Sequence, residues 1–250
     1  MSDDPPRPSS PEEPALPMTP ACPRCAGPVT GGTGRRECPD HGPVPPLWRP
    51  EEASYDALVA QVHAAGSARA DTPTYLPWPI GPGWAVTDLG TVGEPGDVRA
   101  TMTGCSGATD LDGAVDLLVV VEEPGTGLGA ARAGLPHGVT GGPPVELFDD
   151  APQTRLRAGG LDVRLWAVPL PEDRETSAVP DTPGALFDPL ADVGLDRSVL
   201  VGEASGRWLW VLVRPASALL LLGADLALAD AADLGTALVE VSFAGPPPRW

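Results

Sequence analysis

Cys22-Pro23-Arg24-Cys25, followed after twelve residues by Cys38-Pro39-Asp40-His41, constrains this chain more than any other stretch. The pattern is C-x2-C…C-x2-H, and it takes up three of the four cysteines and one of the three histidines. Two ligands three positions apart on a tight turn can point at one ion, and zinc takes four sulfur or imidazole ligands in a tetrahedron. Pro23 and Pro39 preset the bends. Gly27 offers a positive φ as the chain leaves the first pair, and Gly42 directly follows the second. The stretch from Ala26 to Glu37 is long enough for a hairpin with Thr30-Gly31-Gly32-Thr33-Gly34 at its tip.

Two knuckles joined by a hairpin predict a zinc ribbon over 20–48, with Cys22, Cys25, Cys38 and His41 as ligands and Zn2+ as a structural cofactor. A Cys22–Cys25 disulfide or redox pair competes with that reading. A redox CxxC opens a helix in a βαβ setting, and it would leave Cys38-x2-His41 without a role. Four protein ligands leave no position for the water that a catalytic zinc keeps.

The rest of the chain is long enough for one good-sized domain. Gly 30 and Pro 33 predict many loops and few long helices. All 16 basic residues are Arg, and the net charge is −18. That charge argues against non-specific nucleic-acid binding and against an anionic membrane surface. It is unevenly spread. Residues 21–49 carry Arg24, Arg35, Arg36 and Arg49 against Glu37 and Asp40, a net +2. Residues 50–250 carry eleven Arg against twenty-eight acids, a net −17. The ribbon is thus a mildly basic knob on an acidic body, and Arg35 and Arg36 read as solvated charges near its tip.

Residues 1–19 are rich in Pro, Ser and acid and read as a disordered tail, with no basic start or apolar run of a signal peptide. Trp208 to Leu222 is the longest apolar stretch, and Arg214-Pro215 interrupts it before it could span a bilayer. Thiol ligands with only Cys105 left over fit a cytoplasmic location.

Pro43 to Pro50 reads as a linker to a second domain over 49–250. A helix is expected where Tyr55, Leu58, Val59 and Val62 make one apolar stripe, with Glu51 and Glu52 before it and Gly66 at its end. His63 falls in its last turn and reads as a histidine suited to the helix dipole. Beyond residue 70 strands dominate. Trp84 to Val92, Val98 to Gly104 and Val115 to Glu122 are candidates. Thr154–Arg157 with Leu161–Val168, and Ser198–Ala204 with Arg207–Arg214, read as hairpins. Leu219–Leu222 and Leu226–Leu228 read as strands around Gly223-Ala224-Asp225, and Asp230 to Leu238 as a short helix. Residues 170–196 read as a loop insertion. The expected class is α+β: an N-terminal zinc ribbon, then a mostly antiparallel β-sheet domain with few helices.

Tyr75-Leu76-Pro77-Trp78-Pro79-Ile80-Gly81-Pro82-Gly83-Trp84 lies between the CPxC…CPxHG head and Cys105-Ser106-Gly107. Glu122-Glu123-Pro124 with Gly125–Ala130, and then Gly202-Glu203-Ala204-Ser205-Gly206-Arg207-Trp208-Leu209-Trp210, follow in order. Together these resemble an actinobacterial family of uncharacterised proteins, a domain of unknown function, over about residues 20 to 240. Its members are sometimes labelled phosphotransacetylase. The resemblance implies an organisation and no mechanism.

Several residues invite a chemical reading. Gly125-Thr126-Gly127-Leu128-Gly129-Ala130 follows an apolar strand as a phosphate-binding loop would. Ala130 stands where a third glycine belongs, and Glu122 and Glu123 would repel a pyrophosphate, so a tight turn is expected instead. Cys105, flanked by Gly104 and Gly107, reads as a buried thiol on a turn after a strand; as a nucleophile it would need His63 or His137 beside it. His137, between Pro136 and Gly138, reads as a loop residue. Ser106 and Ser205 lack the G-x-S-x-G elbow. Trp208 and Trp210 share one face of their strand and read as core.

The expected function is therefore a non-catalytic binding or regulatory module with a structural zinc and a protein partner. The alternative is a small cytosolic enzyme of the acyl- or phosphoryl-transfer type, with its site near Cys105, Glu122, Glu123 and the 125–130 loop.

Overall fold

A computed structural model describes residues 18–32, 34–66, 72–135, 142–170, 196–223, 226–248 and 250 of the protein. Most of the tail, the expected insertion, His137 and part of the turn at 223–225 lie outside these residues. The elements in order are β1 (Glu37–Cys38), β2 (Gly42–Pro43), β3 (Leu47–Trp48), α1 (Tyr55–Ala65), β4 (Tyr75–Trp78), β5 (Ala85–Glu94), β6 (Asp97–Thr109), β7 (Gly113–Glu122), α2 (Leu128–Arg132), β8 (Thr154–Ala158), β9 (Leu161–Ala167), β10 (Ser198–Ala204), β11 (Arg207–Arg214), β12 (Ala227–Asp230) and α3 (Ala231–Leu234). The protein is mostly β-sheet with few helices, as expected. Among the described residues no helix is long and apolar enough to cross a membrane.

Ten strands form one sheet in the order β3-β5-β6-β7-β11-β10-β9-β8-β12-β4. Every neighbouring pair is antiparallel except β12 with β8. Strict alternation in β7 and β11 sorts their residues to two faces. Val115, Leu117, Val119 and Val121 join Leu209, Val211 and Val213 on one side, where β8, β9, β10, β12 and Tyr75 of β4 complete a core. Leu118, Val120, Trp210 and Leu212 face the other way, under Leu128, Ala130, Ala133 and Leu135 of α2 and its exit. A third cluster joins α1 and the C-terminal segment to β5 and β6.

Both expected hairpins are present. Three readings need correction. Leu219–Leu222 lies in a 3₁₀ helix, Ala216–Gly223, and not in a strand. It follows Arg214-Pro215, where the chain leaves β11, and a run of leucines carries no period that separates helix from strand. The expected linker is not a free connection: Leu47 and Trp48 pair with Val92 and Thr91 of β5. Leu47 also exchanges backbone hydrogen bonds with Ala21 (2.9 and 2.7 Å), which ties the Cys/His segment to the sheet edge. The helix is where the stripe put it, capped by the Ser54 hydroxyl, which accepts from the Ala57 N–H (3.2 Å). Its buried face is instead Ala57, Leu58, Gln61 and Ala65, while Tyr55 is exposed. The Gln61 amide donates to the Met102 carbonyl (3.2 Å), so a polar residue can occupy that face.

Candidate metal centre

The first knuckle is a tight turn closed from both sides. The Ala26 N–H donates to the Cys22 carbonyl and the Cys22 N–H to the Gly27 carbonyl, both at 2.8 Å. The positive φ expected at Gly27 falls on Ala26 instead (57°), whereas Gly42 has one (64°) after the second knuckle. Thr30 and Glu37 exchange backbone hydrogen bonds at 3.0 Å, closing the hairpin between the knuckles, and β1 turns into β2 around Pro39–His41.

These turns bring four ligand atoms together. The Sγ atoms of Cys22, Cys25 and Cys38 and a ring nitrogen of His41 all lie within 4.8 Å of one another, a group that could hold a metal ion. Cys22 Sγ and Cys38 Sγ each stand 3.6 Å from His41 Nδ1, and Cys25 Sγ stands 3.7 Å from Cys38 Sγ. All four cysteines are free thiols, so the disulfide reading fails. The two knuckles repeat one detail. Backbone N–H groups of Arg24 and Cys25 point at Cys22, and those of Asp40 and His41 at Cys38. Such donors stabilise a thiolate ligand. Burial pushes the Cys22 thiol up to about 12. Burial acts on Cys38 too, but His41 and the two amides outweigh it and lower that thiol to about 7.

Arg24 and Arg36 fasten this unit to the sheet. Arg24 Nη2 donates to the Gly125 carbonyl (2.8 Å) and Nε to that of Thr126 (3.3 Å). Arg36, read as a solvated charge, lies over the Trp48 ring (5.4 Å), and its Nε is 3.7 Å from Glu94.

The glycine loop is used up by the protein itself. Leu128 N–H donates to Glu122 Oε2 at 2.7 Å, so the amides at the start of α2 turn inward to a buried carboxylate. The loop carbonyls meanwhile face Arg24. The Trp210 indole N–H helps hold the same carboxylate, although it does not meet it at full hydrogen-bond geometry. Burial drives the Glu122 carboxyl up to about 7, against the pull of the Gly129, Leu128 and Gly127 amides. A group that holds its proton more tightly folded than unfolded gives stability that is complete below the unfolded value, 4.5, and lost as pH rises through about 7. Glu122→Gln keeps an oxygen for Leu128. It is expected to flatten that part of the Tm-against-pH curve and to raise Tm above the parent's at about pH 8. Equal slopes in the two proteins would contradict this.

The other candidate groups are not brought together. Cys105 lies in the middle of β6, not on a turn, because its flanking glycines serve packing. A Cβ at Gly104 would come to 2.8 Å from Asp88 Cβ, and one at Gly107 would run into the Trp84 ring. Cys105 opposes Leu117 while Glu122 opposes Ala100, so their side chains leave opposite faces of the sheet. His63 is exposed on α1, and among the described residues no histidine hydrogen-bonds to Cys105. Glu123 pairs with Arg207 (3.6 Å). Ser106 donates to Asp116 (2.6 Å), whose other oxygen accepts from Arg214 (2.6 Å), an ion-paired row apart from Cys105 and Glu122.

Sequence reasoning missed Arg49 and Asp88. Arg49 donates to both Asp88 oxygens (2.7–3.1 Å), and the Asp88 side chain is only 3% exposed. Nothing in the spacing of residues 49 and 88 signals that pair. A 570 Å3 apolar cavity lined by Pro77, Pro79, Ile80, Trp84, Leu220 and Leu226 also holds none of the candidate residues.

A family of unknown function, DUF6758, matches residues 16–180 and 185–250. No curated protein and no solved structure matches the chain.

Proposed function

The chain belongs to the DUF6758 family of unknown function, and on that footing we propose that it is a non-catalytic binding or regulatory module built around a structural zinc ion. Cys22, Cys25, Cys38 and His41 are the ligands, and residues 20–48 are a zinc ribbon docked on the β-sheet body. One observation carries this reading: the separations of the ligand atoms. A tetrahedron with sulfur at ~2.3 Å and nitrogen at ~2.0 Å has edges of about 3.8 Å between sulfurs and about 3.5 Å between sulfur and nitrogen. The 3.7 and 3.6 Å separations of three of the six ligand pairs lie within about 0.1 Å of such edges, which supports this reading. Four ligands fill the shell, which suits a structural ion and leaves no open position for catalysis. Three thiol ligands fit the cytoplasm, and a net −17 over residues 50–250 fits a protein partner with basic groups over nucleic acid or an anionic membrane.

The enzyme alternative needs a reactive Cys105. Burial alone pushes that thiol up to about 12, and the thiolate is the nucleophilic form. One experiment separates the readings: alkylation of the native, metal-loaded chain with iodoacetamide, read by mass spectrometry. All four cysteines should stay unlabelled, and a chelator should expose Cys22, Cys25 and Cys38 while Cys105 stays protected. Fast labelling of Cys105 in the native protein would sink the non-catalytic reading. Labelling of the other three without chelator would sink the metal site.

A further inference from the structure

Between the first knuckle and α2 lies a cavity of about 240 Å3, walled by Pro23 to Ala26, by Ala131 and Arg132, and by Trp250. Its wall carries two guanidinium groups, Arg24 and Arg132, against the single ligand sulfur of Cys25. Arg24 lines it, spending two donors on loop carbonyls. Arg132 lines it as well, and Arg132 also feels Arg49 and Asp88. Asp88 offsets Arg132 only in part, because its single charge is shared with Arg49, which holds both of its oxygens.

Arg132 Nε and Nη2 are buried and have no hydrogen-bond partner among the described residues, and the same is true of Trp250 Nε1. The two Arg132 nitrogens share the side-on edge of the guanidinium, whose parallel N–H groups match two oxygens of one oxyanion. A buried donor left unmade is costly, and a guanidinium more so than a neutral amide. Native proteins rarely leave such groups empty-handed.

We propose that this cavity is a binding site for a small phosphate-type dianion, held side-on by Arg132 with Trp250 Nε1 as a further donor and Arg24 supplying charge. The volume is below that of drug-sized ligand pockets, which suits inorganic phosphate or a small phosphate monoester. The surplus of positive charge favours a dianion over a carboxylate. The Arg132 fork nitrogens each expose less than 1 Å2, so anion binding requires the side chain to turn into the cavity. The first knuckle forms one wall, so a segment ordered by its Cys/His ligands also shapes an anion site on the sheet's covering helix. The site does not depend on which metal the knuckles hold.

The test is calorimetric titration of the full, metal-loaded chain in phosphate-free buffer with inorganic phosphate, methyl phosphate and acetate. At least one of the two phosphates should bind saturably below ~1 mM, and acetate more weakly. Binding of inorganic phosphate alone identifies the free ion as the ligand, and tighter binding of methyl phosphate identifies an ester. Arg132→Lys keeps the charge without the fork and should weaken binding by about tenfold or more. Arg132→Met should abolish it. If Arg132→Met does not fold, the Lys variant carries the result. Failure of both phosphates to bind, acetate binding more tightly than phosphate, or unchanged affinity in Arg132→Lys would each overturn the proposal.

Discussion

Cys25→Ser is expected to release the metal and unfold the segment around the hairpin while the ten-stranded sheet stays intact. The reason is how little else holds that segment. Its cluster of fully buried residues is Cys22, Cys38 and Val44, with Cys25 and Val29 packed against them. Two valines cannot offset the ordering of more than twenty residues at about 1–2 kcal/mol each. A structural zinc site contributes about 10–16 kcal/mol in small zinc-finger peptides, enough to decide whether the segment is ordered. Cys25 is the half-buried cysteine of the three, so its substitution removes a sulfur at the smallest cost in packing. Hydrogen exchange reads the outcome. The Ala26, Thr30 and Glu37 amides, all donors in the knuckle and hairpin, should lose protection in the variant, while β6, β7 and β11 keep theirs. Unchanged protection at those three amides would contradict the expectation. Arg24 would lose its place on the Gly125 and Thr126 carbonyls in the same event, so a smaller loss of protection at the start of α2 should accompany it.

Asp88→Ala is expected to be the most damaging single change within the sheet. The carboxylate is buried and is the counter-charge for Arg49, which binds it bidentately, and for Arg132 beyond. Removing one member of a buried pair leaves the other charge uncompensated, at about 3–5 kcal/mol. For a chain of this size that is a fall in Tm of about 10 °C. Alanine keeps the Cβ that fills the space over Gly104, so the loss is chiefly electrostatic. Asp88→Asn keeps the shape and one acceptor oxygen and should lose less. Thermal melts of the two variants check this. A Tm within a degree or two of the parent for Asp88→Ala would show that water, not Asp88, neutralises the two guanidiniums.

What could be read in the sequence was local. The Cys/His group that could hold a metal follows from spacing alone, because three-residue separations on tight turns fix where two side chains point. Hairpins at 154–167 and 198–214 follow from glycine turns between apolar runs, and the helix from its stripe and cap. What could not be read depends on partners far along the chain. Gly104 and Gly107 look like turn punctuation until Asp88 and the Trp84 ring occupy the space a side chain would need. The 125–130 loop resembles a phosphate cradle until Glu122, buried behind it, takes the Leu128 amide from within. The short strand β4 is hidden by its prolines and exists because β12 supplies its hydrogen bonds across some 150 residues. Arg132 follows an alanine pair at the end of a five-residue helix, and no motif marks it.

If Cys22, Cys25, Cys38 and His41 form the closed zinc site proposed above, X-ray absorption at the zinc edge, with metal analysis of the purified chain, should find about one zinc per chain, with three sulfurs at ~2.3 Å and one nitrogen at ~2.0 Å and no bound water. A fully folded, metal-free N-terminal segment, or an ion with fewer than four protein ligands, would contradict it.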